Sequence, residues 1–191
     1  MFLPTRPSAR QLEDFIEQSR KLRLSYNQVG VAKHSSADFK IDEAKLVIGR
    51  GASAFARARM ALQEWRHCKL GWVSVFPENA SIETGTTIVV VVRHLGFWSL
   101  NGCRVVYGLD AAAGDNQFGF AYGTLPNHAE MGEEIFEVSM LPGSEEVCYR
   151  IRAASKPRAV LAKIGYPLTR ILQARFRRDS IRAMQRALNA A

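Results

Sequence analysis

The densest group of side chains able to do chemistry lies between residues 117 and 136: Tyr122, His128, Glu130, Glu133 and Glu134. A histidine and carboxylates together can ligate a divalent ion or move protons. In an extended segment Glu133 and Glu134 point to opposite faces, so only one of them can join His128. No further His or Cys motif falls at ligand spacing, and a lone His-x-Glu is a weak metal signal. The plainer reading is a polar loop whose Glu133 or Glu134 pairs with a basic residue, and no metal is expected. Arg93, His94 and Arg104 flank the aromatic pair Phe97 and Trp98. If strands over 86–94 and 103–109 form a hairpin across Asn101-Gly102, Arg93 and Arg104 approach one another near its end. Two such guanidinium groups can bind a carboxylate or phosphate bidentately. Internal pairing with Glu130, Glu133 or Glu134 is the expectation for at least one of them.

Other chemistries lack their residues. There is no G-x-S-x-G elbow for a serine nucleophile. Neither G-x-G-x-x-G nor a phosphate-binding G-x-x-x-x-G-K-[ST] occurs, so no nucleotide cofactor is expected. Gly119, Gly123 and Gly132 fit close packing, bulges and turns in a bent sheet. Trp65, Trp72 and Trp98 read chiefly as core anchors whose indole N–H groups need acceptors.

The elements that must position these residues follow from pattern. Ser8 and Gln11 stand at capping-box spacing, and Leu12, Phe15 and Ile16 predict a helix over 9–22. Residues 44–48 suit a short strand before Gly49-Arg50-Gly51. Phe55, Ala58, Leu62 and Trp65 predict a second helix, with Ser53 as its N-cap. Six strands follow, over 71–76, 86–94, 103–109, 117–122, 134–140 and 147–153, separated by turn residues such as Pro142-Gly143-Ser144. Phe118, Phe120 and Tyr122 share one face. Short connections favour an antiparallel meander. A long last helix is expected from Ser155-Lys156-Pro157 to about Leu188, kinked at Gly165-Tyr166-Pro167.

Composition bounds the rest. The chain has 191 residues, 47% hydrophobic and 23% charged, which suits a single soluble domain over 1–191. The longest strictly aliphatic run, 88–92, is far short of the roughly 20 residues of a membrane span. With no secretory signal pattern and three unpaired-looking cysteines (Cys68, Cys103, Cys148), a cytoplasmic location is expected. Residues 1–155 carry 17 basic and 17 acidic side chains, whereas 156–191 carry nine against one, so the net +8 sits in the last helix. Its apolar positions Leu172, Phe176 and Met184 should face the sheet and leave Arg170, Arg177 and Arg178 in water. Exposed positions there lack interleaved aromatics, which disfavours nucleic acid and leaves at most weak contact with an anionic membrane surface.

The element order resembles the α+β helix-grip arrangement of START and birch-pollen-allergen proteins: a curved antiparallel sheet wrapped on one long C-terminal helix. A ferredoxin-like or hot-dog fold is the alternative, disfavoured because no helix interrupts the six strands. The string Gly119-Phe120-Ala121-Tyr122-Gly123-Thr124-Leu125-Pro126, with Tyr26-Asn27-Gln28-Val29-Gly30 and Ser155-Lys156-Pro157-Arg158, resembles a bacterial and plant family known as domain of unknown function nineteen-ninety. That resemblance covers nearly the whole chain and implies no particular activity. The helix-grip likeness implies a cavity for a small apolar molecule. Trp98, Arg104, Tyr122, His128 and one of Glu133 and Glu134 would bind it, in a monomer or homodimer. An enzyme using the same cavity, of cyclase, dehydratase or hydrolase type, is the alternative. A third reading is an interaction protein whose arginine-rich helix grips anionic lipid or nucleic acid.

Overall fold

The computed structural model describes residues 1–34, 38–109, 116–157 and 166–189. A two-residue strand β1 (Phe2–Leu3) precedes helix α1 (Ala9–Arg20), where Ser8 and Gln11 form the expected capping box. Strand β2 (Lys40–Arg50) runs directly into α2 (Gly51–Gln63), and a single 3-10 turn follows at Arg66–Cys68. Then come β3 (Val73–Phe76), β4 (Thr87–His94), β5 (Phe97–Gly108), β6 (Gln117–Thr124), β7 (Glu130–Met140), β8 (Glu146–Pro157) and helix α3 (Tyr166–Asn189). The sheet order is β2-β8-β7-β6-β5-β4-β3, every pair antiparallel, with β1 paired to β5 beyond the end of β6. This is the helix-grip α+β arrangement. Among the described residues no helix is long and apolar enough to cross a membrane.

Several boundaries differ from the pattern reading, each for a local reason. The β4–β5 hairpin turns at Leu95-Gly96, whose φ values of 50° and 81° are those of a type I′ turn. Asn101-Gly102, read as the turn, lies within β5, where Asn101 Nδ2 donates to Val90 O and Ser99 Oγ. Strand β8 continues through Ser155 and Lys156, which pair with Gly132 and Met131, so no helix starts there. Helix α2 begins at Gly51 with Arg50 as its N-cap, and Ser53 Oγ instead accepts from Arg57. Of the kink expected at Gly165-Tyr166-Pro167, Gly165 lies outside the described residues, and Tyr166 and Pro167 open helix α3.

Alternation in the strands creates two apolar faces. On the inner face Phe118, Phe120 and Tyr122 point the same way, as their period-two spacing predicts, beside Phe136, Val138, Tyr149 and Ile151. Helix α2 covers part of this face through Phe55, Ala58 and Leu62, and α3 through Phe176, Met184 and Leu188. Two of the tryptophans find the acceptors a buried indole needs: Trp65 Nε1 donates to Ala80 O at 2.8 Å and Trp72 Nε1 to Asp179 at 3.1 Å. On the outer face α1 packs Phe15 and Ile16 against Val89, Val91 and Leu100. The segment after it lays Tyr26, Val31 and Ala32 over Ala121, Ile135 and Ala154. Cys68, Cys103 and Cys148 are buried free thiols.

Candidate functional site

Tyr122 on β6 and Glu134 on β7 stand directly opposite one another in the strand register. Both project to the inner face, where Tyr122 Oη donates to Glu134 Oε2 at 2.6 Å. Phe136 lies against the tyrosine ring. Among the described residues no cation comes within ion-pair distance of Glu134. The protein encloses this carboxyl, and burial raises its pKa to about 7; the Tyr122 hydrogen bond opposes the rise and the charge of Glu130 adds to it. Glu134 nevertheless keeps part of its surface open. A carboxyl held near neutrality can accept a hydrogen bond from a bound molecule or exchange a proton with it.

Helix α3 closes over this region by polar contacts as well as apolar ones. Gln173 Nε2 donates to both oxygens of Glu130 at 2.8 Å, and burial pushes the Glu130 pKa upward. Arg170 makes a two-pronged pair with Asp42 of β2, whose carboxyl it holds below its ordinary pKa; Arg177 lies 3.9 Å from the same carboxylate. Arg170, Gln173 and Arg177 share one helix face, three and four residues apart. The expectation that Arg170 and Arg177 stay in water therefore fails: their side chains are only 24% and 17% exposed. Arg178 does face solvent, beside Asp179.

His67 completes the interior and went unnoticed in the sequence. Its ring stacks on Trp65 at 5.5 Å and lies 4.4 Å from Phe136. Among the described residues neither buried ring nitrogen has a hydrogen-bond partner, and burial lowers the pKa to about 3. No spacing marks this histidine out, because beyond the adjacent Trp65 its ring neighbours Phe120 and Phe136 come from β6 and β7. Close by, Tyr149 Oη and Ser180 Oγ hydrogen-bond at 2.9 Å.

The remaining residues singled out from sequence stand elsewhere. Glu133, next to Glu134, points to the outer face and is 2% exposed. Its Oε1 accepts from Tyr26 Oη at 2.8 Å and Gly30 N at 2.7 Å, and its Oε2 from Ala32 N at 3.2 Å and Tyr107 Oη at 3.3 Å. Four neutral donors, not the basic residue expected, hold this carboxylate and pin the segment after α1. Trp98 packs on the outer face beneath α1, with the Arg93 guanidinium 5.9 Å from its ring. Arg93 pairs with Trp98 and Arg104 with Thr87, so the two arginines lie six residues, about 20 Å, apart along the hairpin. Arg104 bonds Thr87 and the end of α1, and neither arginine meets Glu130, Glu133 or Glu134. His128 closes its own turn, its Nδ1 accepting from Glu130 N at 2.9 Å. Of the six candidates, only Tyr122 and Glu134 meet on the inner face.

Gly123 lets the Glu133 cluster form, since a Cβ there would sit 2.1 Å from Tyr26 Oη. Gly123→Ala is expected to displace Tyr26 and lower stability by about 2–3 kcal/mol in urea unfolding. Unchanged stability would mean that Tyr26 is not locked in place.

The family model for the domain of unknown function DUF1990 matches residues 25–183. The chain belongs to this family. DUF1990 membership spans the inner-face pair, the outer Glu133 cluster and most of α3. A UPF0548 protein of Dictyostelium discoideum is 31% identical, over 100% of this chain and 97% of its own. Among solved structures, hypothetical protein jhp0584 of Helicobacter pylori matches with a TM-score of 0.53 at 11% identity, over 86% of this chain and 95% of that one. The Zhui aromatase/cyclase of Streptomyces matches with a TM-score of 0.52 at 12% identity, over 79% and 94%. These likenesses place the DUF1990 fold among helix-grip proteins.

Proposed function

We propose that the protein acts as one domain that binds a small, largely apolar molecule between the inner face of the sheet and α3. Tyr122 and Glu134 are its polar anchor, with Glu130 and Gln173 beside them. The observation that carries this reading is Glu134: a carboxyl pushed up by burial, with one hydrogen bond, from Tyr122, and among the described residues no cation at ion-pair distance, Arg177 acting on it only from farther away. A purely structural carboxylate is held as Glu133 is, by a full set of donors. A few polar groups in an apolar surround are what orient a small ligand. A second reading, catalysis in the same place, is favoured by a Glu134 pKa near 7, which suits a general acid or base. The aromatase/cyclase shows that a fold of this kind can carry an enzyme.

Native mass spectrometry of freshly purified protein tests the binding reading, followed by titration with N-phenyl-1-naphthylamine, a neutral apolar fluorophore with one N–H donor. The expected result is a co-purified small molecule, or saturable probe binding that Glu134→Leu weakens at least tenfold. Protein at its bare mass that leaves the probe in water would refute it.

A further inference from the structure

A second place on the molecule offers hydrogen-bond donors with nothing to receive them. On the outer face, beside the C-terminal end of α1, lies an open groove of about 690 Å³ lined by Arg20, Asn79, Ser81, Thr86, Thr87 and Arg104 among others. Arg104 is half-buried and fixed there. Its Nε donates to Thr87 Oγ1 at 3.2 Å, and its Nη2 to the carbonyls of Arg20 at 3.0 Å and Ser19 at 3.4 Å. Those carbonyls end α1, so part of this arginine's work is capping.

Half of the guanidinium is left over. Nη1 has no protein partner and is not buried, and among the described residues no carboxylate lies within ion-pair distance of Arg104. Thr87 and Ser81 line the same groove with hydroxyls that can donate as well. Thr87 Oγ1 already accepts from Arg104, and Ser81 Oγ already accepts from Glu83 N at 3.1 Å, so each retains its own proton. The groove thus offers a held guanidinium and two hydroxyl protons; of its two arginines, Arg20 is paired with Glu17, and among the described residues Arg104 has no acid.

We propose that this groove is a binding site for an oxyanion, a phosphate or carboxylate group carried by a small polar molecule. Arg104 is pre-organised for it, because Thr87 and the end of α1 fix the guanidinium plane before any ligand arrives. The groove is larger than a bare anion needs, which leaves room for the molecule that carries it. This site lies across the sheet from Tyr122 and Glu134 and is independent of the ligand proposed there.

The test is a 15N–1H NMR titration of the full chain with sodium phosphate, and separately with sodium acetate, at constant ionic strength. Saturable shifts are expected at the amides of residues 79–87 and at Arg104 Nε, with a dissociation constant on the order of 1 mM. The stronger of the two ions identifies the group as phosphate or carboxylate. Arg104→Lys keeps the charge but loses the fork, and should weaken binding at least tenfold. Ser81→Ala leaves the α1 cap untouched and should weaken it about threefold, which keeps the proposal testable if the lysine variant does not fold. Shifts that never saturate, or that follow Arg175, Arg178 and Arg182 on α3 instead of the groove, would overturn it.

Discussion

At pH 8, Glu134→Gln is expected to be more stable than the natural protein by on the order of 3 kcal/mol, and at pH 5 by about 1 kcal/mol or less. The folded pKa of Glu134 is raised to about 7, above the ordinary carboxyl value of 4.5. Between those values the folded state binds more protons than the unfolded one. Stability therefore falls as pH rises through this window, and the loss is complete above pH 7. Glutamine keeps an acceptor for Tyr122 Oη and has no charge to bury. Urea unfolding at the two pH values reads the difference directly. A gain in stability paired with weaker probe binding marks a side chain retained for what it binds. Equal stability of the two proteins at pH 8 would mean that the carboxylate is well solvated or paired.

His67→Leu carries the second large expectation, at the acid end. Burial holds the His67 pKa near 3, well below the unfolded value of 6.5. Here the unfolded state binds the extra proton, so stability is fully present above pH 6.5 and is lost as pH falls towards 3. Between pH 7.5 and pH 4 this one side chain accounts for a loss on the order of 3 kcal/mol. Leucine is close to histidine in volume and leaves no unpaired nitrogen among Trp65, Phe120 and Phe136. The variant should match or exceed the natural protein at pH 7.5 and exceed it clearly at pH 4. An unchanged acid slope would show that the imidazole finds a partner.

The two expectations rest on residues of unequal visibility in the sequence. That Glu133 and Glu134 part was legible because strands alternate, but which of them faces inward was not: the register of β6 on β7, which sets Glu134 opposite Tyr122, decides it. The capping box of α1 and the uninterrupted antiparallel meander were legible for the same local reason. What stayed hidden depends on contacts between distant segments. Arg170 and Arg177 look like solvated charges on an amphipathic helix, and only the approach of β2 gives them Asp42. His67 becomes conspicuous only when Phe120 of β6 and Phe136 of β7 join the nearby Trp65 in surrounding it with rings. Asn101-Gly102 has the chemistry of a tight turn, yet the register of β4 on β5 puts Leu95-Gly96 at the bend. Gly102 instead leaves room for Asn127 and Ser19, where a Cβ would come within 2.3 Å of the asparagine oxygen.

An apolar ligand of this protein belongs between the inner face of the sheet and α3. Intermolecular nuclear Overhauser effects from bound N-phenyl-1-naphthylamine to assigned side-chain protons would locate it. The predicted result is contact with the rings of Tyr122, Phe136 and Phe176, lost in Glu134→Leu. Contacts confined to Phe2, Leu95 and Phe97, the exposed apolar side chains near the β4–β5 turn, would contradict it.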